Sequence, residues 1–232
     1  WAQVKKKTIQ VVTVNHNLRK EAQEEVIFTR EFVKKLGFIH TTLEWKRPSD
    51  SKNLQSDASF ARKKLISNWA KLNNIKTILV AHTLDDQVET ILMRLARGSG
   101  VDGLVGMKKS KKLLGINWVR PLLNTCRNDL RNFLKIKKVS WIEDPSNLNR
   151  KFLRVKSREV IFQLKKIGIN TNLLINTSSR MENARKVLND VAKDASKQFL
   201  TLKKWGDVEV TKDIFLLFRE DTILRILAGI IQ

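Results

Sequence analysis

Short apolar segments alternate with longer amphipathic segments over the first two thirds of the chain. The apolar segments are rich in β-branched residues, a composition typical of strands buried on both faces. They lie at 8–14, 38–45 and 77–81. The amphipathic segments repeat their apolar positions at helical spacing. They predict helices at 20–36, 58–72, 84–96 and 127–136. This alternation predicts an α/β fold with a parallel sheet that carries helices on both faces.

The pattern changes near residue 160, where strand-like segments give way to mainly helical spacing. The elements predicted beyond that point are a helical stretch at 160–198 with a long charged helix at 173–197, a hairpin at 201–218 and a helix at 217–231. We therefore predict two domains, a larger one at 1–160 and a smaller, mainly helical one at 161–232.

Charge changes this picture from a generic α/β protein to one that attracts polyanions. The chain has 45 Lys and Arg residues against 23 Asp and Glu residues, a formal net charge of +22. Basic residues are spread over the whole chain, which suits a broad contact surface for nucleic acid phosphates. A surface that serves solubility alone is the other interpretation.

Cysteine content and apolar runs exclude several classes of protein. Cys126 is the single cysteine, so a disulfide within the chain and a zinc or iron–sulfur site built from cysteines are excluded. A lone cysteine is more often a small helix residue than a nucleophile. No apolar run reaches 18 residues, so we expect no membrane span. A reducing, cytoplasmic setting fits these features.

Parallel sheets bind ligands beyond the carboxyl ends of their strands, which here means after Val14, Trp45 and Ala81. The last of these positions opens the segment AHTLDDQVETILMRLARGSGVDGLVGM. Its Asp86 and Glu89 are three residues apart and project from one helical face. Carboxylates at a helix start also serve as caps. In a strongly basic chain, however, an acidic pair favours a pocket for a small cation.

Polar residues also follow the other two predicted strands. His16 lies in VNHNLR after the first strand, as a ligand contact or as a plain turn residue. Arg62 lies in SDASFARKK, in the helix after the second strand. His82 directly follows the third strand. All of these side chains are therefore expected at the ligand edge of the sheet.

Two pairs of arginines are candidates for phosphate contacts, because a guanidinium group can grip a phosphate with two parallel donors. Arg94 and Arg97 continue the helix of the acidic pair towards a glycine-rich turn. Arg154 and Arg158 are four apart on a helix after the turn in WIEDPSN. A solvated helix face is the alternative interpretation of each pair.

Five segments together resemble the tRNA(Ile)-lysidine synthetase family: VNHNLR, ARKK, AHTLDDQVET…RGSGVDGLVGM, VRPLL…R and EDPSNLNRKFLR. They occur in the family's order over about residues 8–160. The resemblance implies a Rossmann-like ATP-pyrophosphatase fold and a cytoplasmic ligase. In this reaction, ATP adenylates the C2 oxygen of the wobble cytidine in an isoleucine tRNA with a CAU anticodon. The ε-amine of free lysine then displaces AMP and forms lysidine.

The resemblance also implies roles for individual residues. Lysine recognition falls to Asp86 and Glu89, and the reaction centre to His82, Arg62 and Asp86. The implied ATP contacts are Asn15, His16, Arg62 and His82. The implied tRNA contacts are Arg94, Arg97, Arg154 and Arg158. Mg²⁺ is implied as the companion of ATP, although no metal ligand can be named, and a homodimer is compatible with the resemblance.

One departure from the family concerns its phosphate loop, SGGxDS, which is absent from the sequence. The first glycine is Gly37, so no glycine-rich phosphate cradle precedes the first predicted strand. We expect this loop upstream of Trp1, and a further domain of the family beyond Gln232.

Two other functions remain open at this point. One is a tRNA thiolase of the same superfamily, which the single cysteine argues against. The other is an RNA-binding module without catalysis, which suits the charge and the missing loop but leaves Asp86 and Glu89 unexplained.

Overall fold

A computed structural model describes residues 2–16, 21–46, 54–143 and 153–231. The chain forms two compact units. The first unit comprises Trp1–His82, Lys109–Asn124 and Asn128–Asp144, and the second unit comprises Thr83–Lys108, Thr125–Arg127 and Pro145–Gln232. The domain boundary expected near residue 160 stays a prediction.

The first unit contains the strands and most of the helices that the apolar pattern predicts, whereas the helix predicted at 84–96 belongs to the second unit. Its elements are β1 (Gln10–Asn15), α1 (Glu21–Lys35), β2 (Ile39–Glu44), α2 (Leu54–Leu72), β3 (Thr77–Leu79), β4 (Ser110–Leu113) and β5 (Ile116–Val119). Helix α5 (Arg127–Ile136) follows β5. Strands β1 and β2 pair in parallel, as do β3 and β5. The mixed α/β class with parallel strand pairing is thus confirmed.

One strand of the first unit runs against the predicted parallel order. Strand β4 pairs antiparallel with β5, and the two are joined at Leu114 and Gly115, whose φ angles are 50° and 81°. Two successive positive φ values are the geometry of a type I′ hairpin turn. The sequence pattern missed this hairpin because Lys111 and Lys112 make β4 polar and because Leu-Gly is an unusual turn pair.

Helix α2 and the strands of the first unit enclose one apolar core. Its buried residues come from α2, β3 and β5, and they are Ile66, Ala70, Ile78, Ile116 and Trp118. Val12 and Val14 of β1 pack against the same cluster. Burial of the isoleucine side chains stabilises each by about 1.5–3 kcal/mol, and it fixes the direction in which the strand ends present their polar residues.

The second unit is mainly helical. Its elements are α3 (Leu84–Leu95), α4 (Val101–Leu104), α6 (Leu153–Lys166), α7 (Thr171–Phe199), β6 (Leu200–Leu202), β7 (Val208–Val210), α8 (Ile214–Leu217) and α9 (Glu220–Ile231). Helix α7 begins at an Asn170 cap, whose side chain accepts a hydrogen bond from the Leu173 amide. In the described part of the chain, no helix has both the length and the apolar composition needed to cross a membrane.

The end of the second unit has its own core and a shorter hairpin than the sequence predicts. Strands β6 and β7 pair antiparallel, and Gly206 between them has a φ of 98°, which favours glycine. Residues 214–217, predicted as part of the hairpin, form α8 instead. Ile214 is almost fully buried there, and a helical turn lets it join the core of Ala192, Ala195 and Ile226.

Candidate functional site

A capping box fixes the start of α3. The Thr83 hydroxyl accepts a hydrogen bond from the Asp86 amide at 3.4 Å, and the Asp86 carboxylate accepts one from the Thr83 amide at 2.8 Å. This reciprocal pair satisfies donors that a helix start otherwise leaves open. The capping interpretation of Asp86 is therefore realised in the structure.

Asp86 also belongs to an ion-pair network. Its Oδ1 lies 3.2 Å from Arg127 Nη2. Burial acts to raise the pKa of Asp86, but the hydrogen bonds from Thr83 and the positive charges of Arg127 and Arg154 outweigh it and lower that pKa. Asp86 is therefore a carboxylate at neutral pH.

Asp85 has a separate structural role. Its Oδ2 accepts a hydrogen bond at 2.7 Å from the backbone amide of Arg127, the first residue of α5. A carboxylate at this position satisfies an open donor and complements the helix dipole. Asp85 thereby fixes the position of Arg127 next to α3.

Glu89 is the buried charge of this region, with an exposed fraction of 1%. Its Oε1 accepts a hydrogen bond from Arg158 Nε at 2.7 Å and lies 3.8 Å from Arg127 Nη2. Its Oε2 lies 3.7 Å from Arg154 Nε and has no hydrogen-bond donor among the described residues. A buried carboxylate is retained at a large desolvation cost unless it is paired, and here Oε2 has no donor in the part of the chain that the structure describes.

A cavity of about 170 Å³ opens beside Glu89 within the second unit. Its walls carry charges of both signs and a few apolar side chains. They are Asp85, Val88, Glu89, Arg127, Arg158, Ile161, Lys165 and Thr171. Two carboxylates and three cations around one space can hold a small molecule that carries both an ammonium and a carboxylate group. We call the space that these residues line the α3 cavity.

The structure thus brings together four of the residues singled out from the sequence: Asp86, Glu89, Arg154 and Arg158. Arg127 joins them and was not expected. Arg127 is the closing arginine of the VRPLL…R segment, and that resemblance was its only signal in the sequence. Spacing could not reveal its role, because its contacts are made with residues about 40 positions earlier in the chain.

Asn15 and His16 lie at the carboxyl end of β1 in the first unit. The Asn15 amide donates to Gln23 Oε1 at 3.2 Å and to Glu44 Oε1 at 3.4 Å. The His16 ring stands edge-on to Trp45, with centroids 5.4 Å apart. Burial, and then the charge of Arg62, lower the pKa of His16, so its imidazole is neutral at pH 7. Its buried Nδ1 has no hydrogen-bond partner among the described residues.

The first unit also groups Arg62 with three cations that the sequence analysis did not single out. Burial lowers the pKa of Lys63, and the charges of Arg62, Lys111 and Arg120 lower it further. Like charges held near one another favour an anionic ligand. Arg120 follows the carboxyl end of β5, so the strand-end rule would have found it had β5 been predicted. His82 follows β3 at the same edge of the unit and is half-buried.

Arg94 has a structural role in the glycine-rich segment after α3. Its Nη1 donates hydrogen bonds to the carbonyl oxygens of Gly103 at 2.8 Å and Gly106 at 2.9 Å. The Gln87 side chain exchanges two hydrogen bonds with the Met107 backbone, at 3.1 and 2.7 Å. These contacts fix the turn that the RGSGVDGLVGM segment forms.

Some of the expected phosphate and metal contacts stay untested by the structure. Arg97 is exposed, and phosphate contacts for Arg94 and Arg97 stay predictions. The segment at 144–152, which includes most of EDPSNLNRKF, lies outside the described residues. No group of three metal-binding side chains occurs in the ranges that the structure describes.

A family profile and full-length relatives both place this chain in one protein family. The profile of the PP-loop domain family matches residues 1–165. The chain is 37% identical over 229 residues to "tRNA(Ile)-lysidine synthase" of Wolbachia pipientis wMel, covering 98% of this chain and 53% of that protein. It is also 37% identical to the protein of that name from Ruegeria pomeroyi, covering 95% of this chain and 52% of that protein. The chain thus spans about half the length of these curated relatives.

A solved structure shares the fold at low sequence identity. The U34-tRNA thiolase NcsA from Methanococcus maripaludis, with its [4Fe-4S] cluster, superposes with a TM-score of 0.63 at 14% identity. The match covers 76% of this chain and 62% of the thiolase. At this identity the likeness concerns the fold alone.

Proposed function

This chain belongs to the PP-loop domain family, and on that premise we propose that it forms the catalytic part of a tRNA(Ile)-lysidine synthetase. The enzyme would use ATP to join free lysine to C2 of the wobble cytidine in an isoleucine tRNA with a CAU anticodon. The relatives that match nearly the whole chain carry the name of this activity.

The observation that supports lysine as the substrate is the state of Glu89. The side chain is 1% exposed, lines the α3 cavity, and has one carboxylate oxygen without a hydrogen-bond donor among the described residues. A bound ammonium group would supply that donor, with Asp85 as the second carboxylate of the cavity wall and Asp86 close by, paired with Arg127. The guanidinium groups of Arg127 and Arg158 would then attract the carboxylate of the amino acid.

The chemistry would proceed in two displacements. The C2 oxygen of cytidine attacks the α-phosphorus of ATP, and pyrophosphate leaves. The ε-amine of lysine then attacks C2, the bond from C2 to the adenylated oxygen breaks, and AMP leaves with that oxygen. The attacking amine has to be neutral, so a proton must leave the ammonium group at the site. Carboxylates such as Asp86 would hold the cation until that proton departs.

The first unit offers groups that fit ATP. The neutral His16 has a buried Nδ1 without a partner among the described residues, which can bond a base or ribose group. Arg62, Lys63 and Arg120 supply positive charge for phosphate oxygens. Mg²⁺ would arrive with the triphosphate, whose oxygens share its coordination with water and carboxylate oxygens in such sites. His82 would lie near the reaction centre.

Incorporation of labelled lysine tests this proposal directly. Full-length protein, ATP and a tRNA(Ile) transcript with a CAU anticodon are expected to give acid-precipitable labelled lysine, one AMP and one pyrophosphate. A transcript with a UAU anticodon, which lacks the wobble cytidine, is the matched control. Incorporation of labelled sulfur instead of lysine, or tight tRNA binding without ATP–pyrophosphate exchange, would refute the proposal.

A further inference from the structure

A second groove lies in the first unit, away from the strand ends that hold His16, His82 and Arg120. It has a volume of about 530 Å³, within the range of sites that bind small ligands. Its lining residues come from the end of α2, the start of β3 and the β4–β5 hairpin. They are Lys71, Asn74, Ile75, Lys76, Lys112, Gly115, Ile116 and Asn117. We call it the hairpin groove.

Charge in the hairpin groove has one sign. Lys71, Lys76 and Lys112 line it and are exposed, and no Asp or Glu occurs among its described lining residues. Ile75 and Ile116 contribute apolar surface between the lysines. Three ammonium groups around an apolar floor are suited to a ligand that presents several phosphates along an extended chain.

The β4–β5 turn brings Lys71 over the groove. A methyl group at Gly115 would lie 3.3 Å from Cε and 3.6 Å from Nζ of Lys71, so the lysine side chain runs directly across this glycine. The positive φ of Gly115, 81°, forms the hairpin turn. The hairpin therefore holds Lys112 and Lys71 on one surface.

The carbonyl oxygens at the carboxyl end of α2 do not repel an anion in the hairpin groove. Helix ends expose carbonyl oxygens that repel phosphate. In this helix, the carbonyl of Ala70 accepts from the Ile75 amide at 2.7 Å, and that of Lys71 accepts from the Asn74 amide at 3.1 Å. Asn74 adopts a φ of 57°, the left-handed conformation that closes a helix in this way.

We propose that the hairpin groove binds the phosphodiester backbone of RNA at a distance from the reacting base. Lys76 precedes β3 and His82 follows it, so the groove lies at the amino edge of the sheet, roughly 20 Å from the ligand edge at 3.3 Å per strand residue. An RNA substrate is extended enough to contact both edges at once. That the RNA is a tRNA rests on the proposed function. That the groove binds phosphate groups rests on the lysines alone.

The salt dependence of tRNA binding tests the groove. The triple variant Lys71→Gln, Lys76→Gln and Lys112→Gln of the full-length protein is compared with wild type by filter binding of the tRNA(Ile) transcript from 50 to 300 mM KCl. Each lost phosphate contact reduces the slope of log affinity against log salt by about 0.7–1. We expect the slope to fall by about 2–3 and the affinity in low salt to fall at least about tenfold.

A matched triple variant separates local contacts from net charge. Lys34→Gln, Lys35→Gln and Lys137→Gln remove the same charge from exposed positions on α1 and after α5. We expect this control to change the slope by less than about 1. Equal slopes and affinities in the two triple variants would overturn the groove assignment.

Lysine incorporation at saturating tRNA separates this inference from the proposed function. We expect groove variants to keep the wild-type rate there, because the groove is remote from the reacting groups. If wild-type protein fails to incorporate lysine yet the groove variants still lose tRNA affinity and slope, the function fails and the groove stands. A rate lost at saturation with unchanged affinity would contradict the groove.

Discussion

At the residue scale, Glu89 stands out because, among the residues that the structure describes, it is the one charged side chain that is buried. It is almost fully buried and faces three arginines at distances from 2.7 to 3.8 Å. A carboxylate without these partners would lose several kcal/mol of solvation free energy on burial. The arginines offset part of that cost, yet Oε2 has no hydrogen-bond donor among the residues that the structure describes, which leaves a place for one further cation.

Replacement of Glu89 by Gln tests whether a cation binds at this oxygen. The amide keeps the shape and removes the charge, so we expect KM for lysine to rise at least about tenfold, or about 1.4 kcal/mol, while tRNA affinity stays within twofold. Steady-state lysine incorporation and filter binding measure the two quantities. Glu220→Gln, on the exposed start of α9, is the control and should change neither. An unaltered KM for lysine in the Glu89 variant would remove the α3 cavity from the proposed mechanism.

Asp86 gives a prediction for the pH dependence of stability. Its folded-state pKa lies below the usual value, so its contribution to the free energy of unfolding is present above about pH 4 and is lost as the pH falls through the lower, folded-state pKa. Asp86→Asn should cost about 1.5–3 kcal/mol at pH 7, because the variant loses the hydrogen bonds that the charged carboxylate accepts. Urea unfolding at a series of pH values should show this difference shrinking below pH 4. A difference that persists unchanged at pH 3 would contradict the assigned pKa shift.

At the scale of elements, the sequence predicts those features whose causes are local. The β-branched runs of β1, β2 and β3 and the capping residues of α3 determine their own structure within a few positions. The β4–β5 hairpin was missed because a polar strand and a Leu-Gly turn lack the usual local pattern. The cluster around Glu89 was predicted only in part, since Arg158 lies 69 positions away and nothing in the spacing pairs the two.

The glycine-rich turn after α3 offers a matched pair of substitutions. Gly98 and Gly106 have nearly equal φ angles, 71° and 74°. A methyl group at Gly98 meets no atom within 4 Å, whereas at Gly106 it would lie 2.8 Å from Gln87 Nε2. Gly98→Ala should therefore cost about 1 kcal/mol from backbone strain alone. Gly106→Ala should cost about 1–3 kcal/mol more, because Gln87 must also release Met107.

Thermal unfolding of the two glycine variants measures this difference. A lower midpoint for Gly106→Ala than for Gly98→Ala would support the role of Gln87 and Arg94 in fixing the turn. Equal midpoints would show that strain at a positive φ, and not the packing of Gln87, decides the cost.

At the scale of the whole molecule, the net charge of +22 and the placement of individual charges have different consequences. Net charge attracts any RNA and accelerates its encounter with the protein. It does not determine which phosphates are contacted. Arg154 illustrates the difference, because half of its side chain is exposed while its Nε lies 3.7 Å from Glu89 Oε2. Its positive charge is therefore shared between a buried carboxylate and the solvent.

Arg154→Gln distinguishes these two effects. If Arg154 contacts a tRNA phosphate, its loss should lower tRNA affinity and reduce the salt slope by about 1. If it serves Glu89 alone, the slope should match that of Arg180→Gln, an exposed arginine on α7 that carries the same charge. Both variants also require measurement of KM for lysine.

A change in that constant confined to Arg154→Gln, with an unchanged salt slope, would assign the arginine to the α3 cavity and exclude it from the RNA contact. A reduced slope with an unchanged KM would assign it to the RNA, because ion pairing with a buried carboxylate is insensitive to added salt compared with contacts at an exposed surface.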